Sequence, residues 1–149
     1  MAKSKKCYSR DFSSGIPLVN KKLQKILQFY LFECPVAGVS VKGDKFNTYG
    51  IRTRKEFDKL KKKMFFHANS SLRNNYRACS SNNELSSYLK KCKKLSPPDE
   101  YCVFSKNKNT VMESLFYSIR NAFAHGGFCV MQYSKKRIYI FYRMCIMRL

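Results

Sequence analysis

Arg120, Asn121 and His125 are the residues of this chain whose types and spacing could do chemistry together. They stand in the run Arg120-Asn121-Ala122-Phe123-Ala124-His125-Gly126, at the end of a segment whose apolar residues Met112, Leu115, Phe116, Ile119 and Phe123 recur at helical spacing. A helix turns by about 100° per residue, so Asn121 and His125, four apart, share one face. Arg120 lies one position round, and its long side chain can reach the same patch. A cation, an amide and an imidazole beside a glycine-marked helix end suit a phosphate ligand better than a core. The imidazole can take or give a proton near neutrality, and a guanidinium can hold two phosphate oxygens at once. Taken singly, each residue has a structural explanation. His125 could meet the negative end of a helix dipole, Arg120 could be one more surface cation, and Asn121 a half-buried amide. Their combination is what points to function, and the other histidine, His67, has no arginine at a comparable offset.

The charge balance agrees with a phosphate-bearing ligand. Thirty Lys and Arg against nine Asp and Glu give a formal net charge of +21, far beyond what solubility needs. Such a field favours a polyanion: nucleic acid first, an acidic protein or anionic membrane second. Lysines at 59–63 and 90–94, together with Lys106, Lys108, Lys135, Lys136 and Arg137, are candidate RNA-phosphate binders. Tyr117, four residues before Asn121, is a candidate for stacking on a base, with packing the simpler role. There is no Walker A, H-E-x-x-H or G-x-S-x-G motif and no carboxylate cluster, so NTPase, zinc-protease, serine-hydrolase and two-metal nuclease chemistries lack their parts. Seven cysteines without a C-x-x-C pair and only two histidines do not make a metal site, and no cofactor is implied. The basic, polar start carries no apolar signal core, and the most apolar runs are too short to span a bilayer. The expectation is a reduced, cytoplasmic protein with no membrane partner.

A helical frame must position these groups. The length of 149 residues fits one domain, and 44% hydrophobic with 15% aromatic content supports a core. Residues 1–17 read as a basic flexible arm, with the domain over 18–149. Leu23, Ile26, Leu27, Tyr30 and Leu31 form an amphipathic stripe that Pro35 and Gly38 end. A loop or short hairpin is expected over 36–52. Thr53-x-x-Glu56, Ser81-x-x-Glu84 and Thr110-x-x-Glu113 each have the spacing of a capping box and open three further helices. This explains Glu113, seven residues before Arg120, without chemistry. Residues 68–80 read as a loop with a helical turn. After Gly126-Gly127, two β-rich runs over 128–133 and 138–146 read as a hairpin. The fold class is mainly α, a helical bundle with a C-terminal β-hairpin.

The segment Ser118-Ile119-Arg120-Asn121-Ala122-Phe123-Ala124-His125-Gly126 resembles the signature of the HEPN superfamily. That signature is an Arg, a polar residue directly after it, and a His about a turn further on, here five residues beyond the Arg. The recognisable stretch covers about 115–139; upstream helices agree in character only. The resemblance implies a HEPN-like bundle and a metal-independent endoribonuclease of toxin or antiviral-defence type. It implies a homodimer with a composite active site, and a nucleotidyltransferase-type antitoxin as a partner. In those terms His125 is general base or acid for attack of a ribose 2′-hydroxyl on the adjacent phosphate. Arg120 holds the scissile phosphate, and Asn121 orients the imidazole or the phosphate. The alternative is a HEPN-like module that binds RNA or a partner without cutting.

Overall fold

The computed structural model describes residues 7–8, 21–66, 70–92, 101–125, 128–133, 137–142 and 147–148. In chain order the elements are β1 (Cys7–Tyr8), α1 (Lys21–Gln28), a π-helical turn (Phe29–Glu33), a 3-10 turn (Phe46–Tyr49), α2 (Arg54–Phe66), α3 (Ser70–Asn74), β2 (Tyr76–Cys79), α4 (Asn82–Cys92), β3 (Tyr101–Ser105), α5 (Val111–Ala124), β4 (Phe128–Tyr133), β5 (Arg137–Tyr142) and β6 (Met147–Arg148). The architecture is mainly helical, with a small parallel pair of strands, β2 and β3, built into it.

The capping boxes at α2 and α5 are formed, and α4 has the hydroxyl half of its box. Thr110 accepts from the Glu113 N–H at 3.1 Å while the Glu113 carboxylate accepts from the Thr110 N–H at 2.9 Å, so α5 starts with two of its free amides satisfied reciprocally. At α2 the Glu56 carboxylate accepts from both the Arg52 and Thr53 amides, at 2.6 and 2.7 Å. Those two bonds hold its carboxyl below the usual carboxylate range. At α4 the Glu84 amide donates to the Ser81 hydroxyl, and its carboxylate reaches the Ser80 amide, one residue further back.

The parallel pair explains how the helices are arranged. Tyr76 to Cys79 lie opposite Cys102 to Ser105, and α4 makes the crossover that parallel strands require. Tyr101, Cys102, Val103 and Phe104 are all buried, because β3 is covered on both faces. On one face Cys79, Tyr101 and Val103 meet Leu85, Tyr88 and Leu89 of α4. On the other, Tyr76, Cys102 and Phe104 join Leu27, Leu72, Met112, Leu115, Ile119 and Phe123 in the main core. A strand covered on both sides carries an unbroken apolar run instead of an alternation.

Several expectations are thereby corrected. The helices do not form a bundle packed only on itself, since α4 and α5 take opposite faces of the strand pair. The sheet segment seated in the core is a parallel pair, not a hairpin. The helical turn expected within 68–80 is α3, while β2 replaces the loop after it. In α1, Leu27 is buried, but Ile26 stands outside the core at 41% exposure. Over 36–52 the loop alternative holds and not the hairpin: the chain runs through turns to the 3-10 helix, which Gly50 ends with φ 74°, a conformation that suits glycine. Downstream, β4 and β5 lie antiparallel, Phe128 opposite Tyr142 and Tyr133 opposite Arg137, and β1 pairs with β4. The boundary proposed between an arm at 1–17 and a domain from 18 lies outside the described residues. Among the described residues no helix is long and apolar enough to cross a membrane.

Candidate functional site

Helix α5 is both core element and site element, and its faces divide the two tasks. Met112, Leu115, Ile119, Ala122 and Phe123 are buried. Phe116 and Phe123, seven apart, turn toward the π-helical turn, where the Tyr30 ring lies 5.7 Å from Phe116 and 5.6 Å from Phe123. The Cys34 thiol, fully buried, reaches the Phe116 carbonyl at 3.8 Å. Arg120 stands four residues after Phe116 and three before Phe123, so it occupies that same side of the helix.

Arg120 is therefore half-buried, not a surface cation. Its Nε is shut off from solvent and has no hydrogen-bond partner among the described residues. One terminal nitrogen donates to the Asn121 side-chain oxygen at 3.3 Å. Its charge is felt by Cys34: burial pushes that thiol up to about 11, against the Val36 amide and then the Arg120 charge, which pull it down. Among the described residues Arg120 forms no ion pair; the one present joins Lys42 to Glu33 at 2.7 Å. A half-buried guanidinium without a carboxylate keeps its capacity for an anion from outside.

Asn121 lies on a different stripe, with Glu113, Tyr117 and His125 at successive intervals of four. His125 is exposed and caps α5 through its backbone, its amide donating to the Asn121 carbonyl at 3.0 Å. Its imidazole makes no hydrogen bond with the described residues. Five residues separate Arg120 from His125, which is about 140° round the axis and about 7.5 Å along it. The structure thus brings Arg120 to Asn121 and leaves His125 on another side of the helix end. The contact the structure gives Asn121 is with the guanidinium.

The Lys108 ammonium lies 4.2 Å over the Tyr117 ring, so one face of that ring is already engaged in a cation–π contact. Glu113 is held in its cap. Lys135 and Lys136 fall outside the described residues, and of Arg137 only the backbone is described, at the start of β5. Among the described residues no group of three His, Cys, Asp or Glu is placed to hold a metal ion.

One residue that the sequence reading passed over organises the neighbourhood. Ser114 is fully buried; its hydroxyl donates to the Thr110 carbonyl at 3.0 Å and accepts from the amides of Asn107 and Lys108 at 3.2 and 3.0 Å. This fixes the basic loop 106–109 to the first turn of α5. The available signal was a small hydroxyl residue, one turn after a cap, on an otherwise apolar helix face. No family model matches the chain, and comparison with curated proteins and with solved structures finds no match.

Proposed function

We propose that the chain is a HEPN-type endoribonuclease that cleaves RNA without a metal ion, as a homodimer, in a toxin or defence role. The observation that carries this reading is Arg120: a half-buried guanidinium, steered by Asn121 and unpaired by any carboxylate among the described residues, one turn before an exposed helix-capping histidine. An anion-binding group of this kind, in a chain of net charge +21, fits phosphodiester chemistry. Arg120 holds the non-bridging oxygens of the scissile phosphate. His125 takes the proton of the ribose 2′-hydroxyl as its oxygen attacks phosphorus, and the 5′-oxygen leaves with a proton taken from water. The products are a 2′,3′-cyclic phosphate and a 5′-hydroxyl. Because Arg120 and His125 stand about 140° apart on one helix, a composite site pairing Arg120 of one copy with His125 of another accounts for both positions. The HEPN-like fold reading and a nucleotidyltransferase-type antitoxin belong to the same proposal.

The test is incubation of labelled RNA with the chain in EDTA. Wild type leaves 2′,3′-cyclic ends, and Arg120→Ala and His125→Ala each abolish them. Mixing the two variants restores about a quarter of the activity, since random pairing makes about half of the dimers mixed, each with one intact site of two. Cleavage only with added metal, or normal cleavage by both variants, overturns the mechanism. RNA binding without products over a wide pH range instead favours a module that holds RNA without cutting it.

A further inference from the structure

At the opposite end of α5 from His125 lies a cleft of about 580 Å³, a size usual for ligand sites. Four cations line it: Arg52 and Arg54 at the start of α2, Lys61 two turns further on, and Lys106 at the end of β3. Asp58 is the one carboxylate among its lining residues. Arg52, Arg54 and Lys106 are exposed, and their side chains make no ion pair or hydrogen bond with the described residues. Lys61 sits 5.1 Å over the Tyr76 ring and is half-buried. Unneutralised charges around a concave, low-dielectric wall focus a field more strongly than the same charges spread over a convex surface.

The cleft is also held in shape. The Lys106 amide donates to the Cys79 carbonyl at 2.8 Å, and the two amides after it are fixed by the Ser114 hydroxyl. Arg52 and Thr53 are pinned by the Glu56 carboxylate. The cations are therefore presented from two tied-down backbone segments and not from a free loop. A second concave space of about 520 Å³ shares Lys106 and Asn109 with the first and continues past Lys108 to Glu113. From there Glu113, Tyr117, Asn121 and His125 follow one another along one stripe of α5. Twelve residues of helix carry that stripe about 18 Å.

We propose that the cleft formed by Arg52, Arg54, Lys61 and Lys106 is a binding site for the phosphodiester backbone of a single-stranded nucleic acid. The strand continues past Lys108 along the Glu113–Tyr117–Asn121–His125 stripe. Binding in the cleft stands without cleavage; only the strand's use at His125 rests on the nuclease reading. A strand is favoured over one phosphate group because the cations extend along two concave spaces that share Lys106 and Asn109.

The test uses a 2′-O-methyl oligouridine of about twelve nucleotides, which has no 2′-hydroxyl to attack with and stays intact whether or not the chain is a nuclease. Binding is read by fluorescence anisotropy from 0.05 to 0.3 M salt. The cleft variant is Arg52→Ser, Arg54→Ser, Lys106→Ser; the control removes as many charges elsewhere, with Lys21→Ser, Lys25→Ser, Lys45→Ser. Each single-strand phosphate contact contributes about 0.7 to the slope of log K against log salt, so the cleft variant loses about 2 from that slope and binds about 100-fold more weakly at 0.1 M salt. The control loses less than tenfold, and all six positions are exposed, so thermal midpoints check that both variants fold. Equal losses in the two variants would mean that only net charge matters and would overturn the site. Uridine monophosphate binding as tightly as the oligomer, or polyglutamate losing as much affinity as the oligomer in the cleft variant, would likewise overturn a nucleic-acid strand as the ligand.

Discussion

Replacing Arg120 by methionine should stabilise the protein and disable it at the same time. Methionine keeps an unbranched stem on the face of α5 between Phe116 and Phe123, and removes the charge and the shielded Nε. An N–H taken out of water without a partner costs about 1–3 kcal/mol. What methionine forfeits is the 3.3 Å bond to Asn121, long and partly solvated, worth no more than about 1 kcal/mol. The balance is a gain of about 1 kcal/mol, which raises the melting temperature by about 2–4 °C for a chain of this length. Cleavage should fall by about 10²–10³-fold, the loss that follows removal of one group stabilising transition-state charge. Urea titration with EDTA present gives the first number, and initial rates on labelled RNA below the melting range give the second. A methionine variant less stable than wild type by more than about 1 kcal/mol would show that the guanidinium holds the fold together, and the reasoning would fail. Unchanged cleavage would refute its catalytic half.

Two other outcomes follow from separate features. Glu113→Ala should cost about 1 kcal/mol, by opening the capping box at Thr110, and should not lower the cleavage rate per folded molecule, since losing a carboxylate beside the strand only eases phosphate approach; a large rate loss would return Glu113 to the chemistry. The Cys34 thiol is raised from 9.0 to about 11 in the folded chain, chiefly by burial, so its neutral form contributes stability that is complete below pH 9 and is lost as pH rises toward 11. The stability advantage of wild type over Cys34→Val, from urea midpoints at pH 7 to 11, should shrink across that window, and a flat difference would show that the thiolate is not disfavoured by the fold.

Helix starts were the most legible part of the fold, because a capping box is a local event: a hydroxyl, a glutamate three residues on, and the amides between them. Thr53, Ser81 and Thr110 each open a helix within two residues of the position their spacing gives. The parallel pair was illegible for the opposite reason. Tyr76–Cys79 and Tyr101–Ser105 are four and five residues long, and a strand covered on both faces lacks the alternation that marks a half-exposed one. Arg77, interrupting the first, lies with its guanidinium 5.5 Å over the Tyr88 ring, a contact no local pattern encodes. Asn121 and His125 were placed correctly on one stripe by their spacing. Arg120, one position round, reaches Asn121; its burial was not legible, because whether the Phe116–Phe123 face is covered depends on the π-helical turn some ninety residues earlier in the chain.

That cover gives Arg120 its distinctive setting and connects the fold to the site. With Tyr30 against Phe116 and Phe123, and Cys34 on the Phe116 carbonyl, the guanidinium is partly withdrawn from water in a region that supplies an amide oxygen and no described carboxylate. Full solvation would weaken its pull on a phosphate, and a carboxylate would cancel it. Partial desolvation with only a neutral partner strengthens the interaction an incoming anion would feel, at a standing cost to the empty protein. His125, in the proposed mechanism, would need access to move a proton, and it is exposed at the cap position. The two requirements are opposed, and the helix end puts the residues on different sides; on the nuclease proposal a second copy of the chain would complete the site.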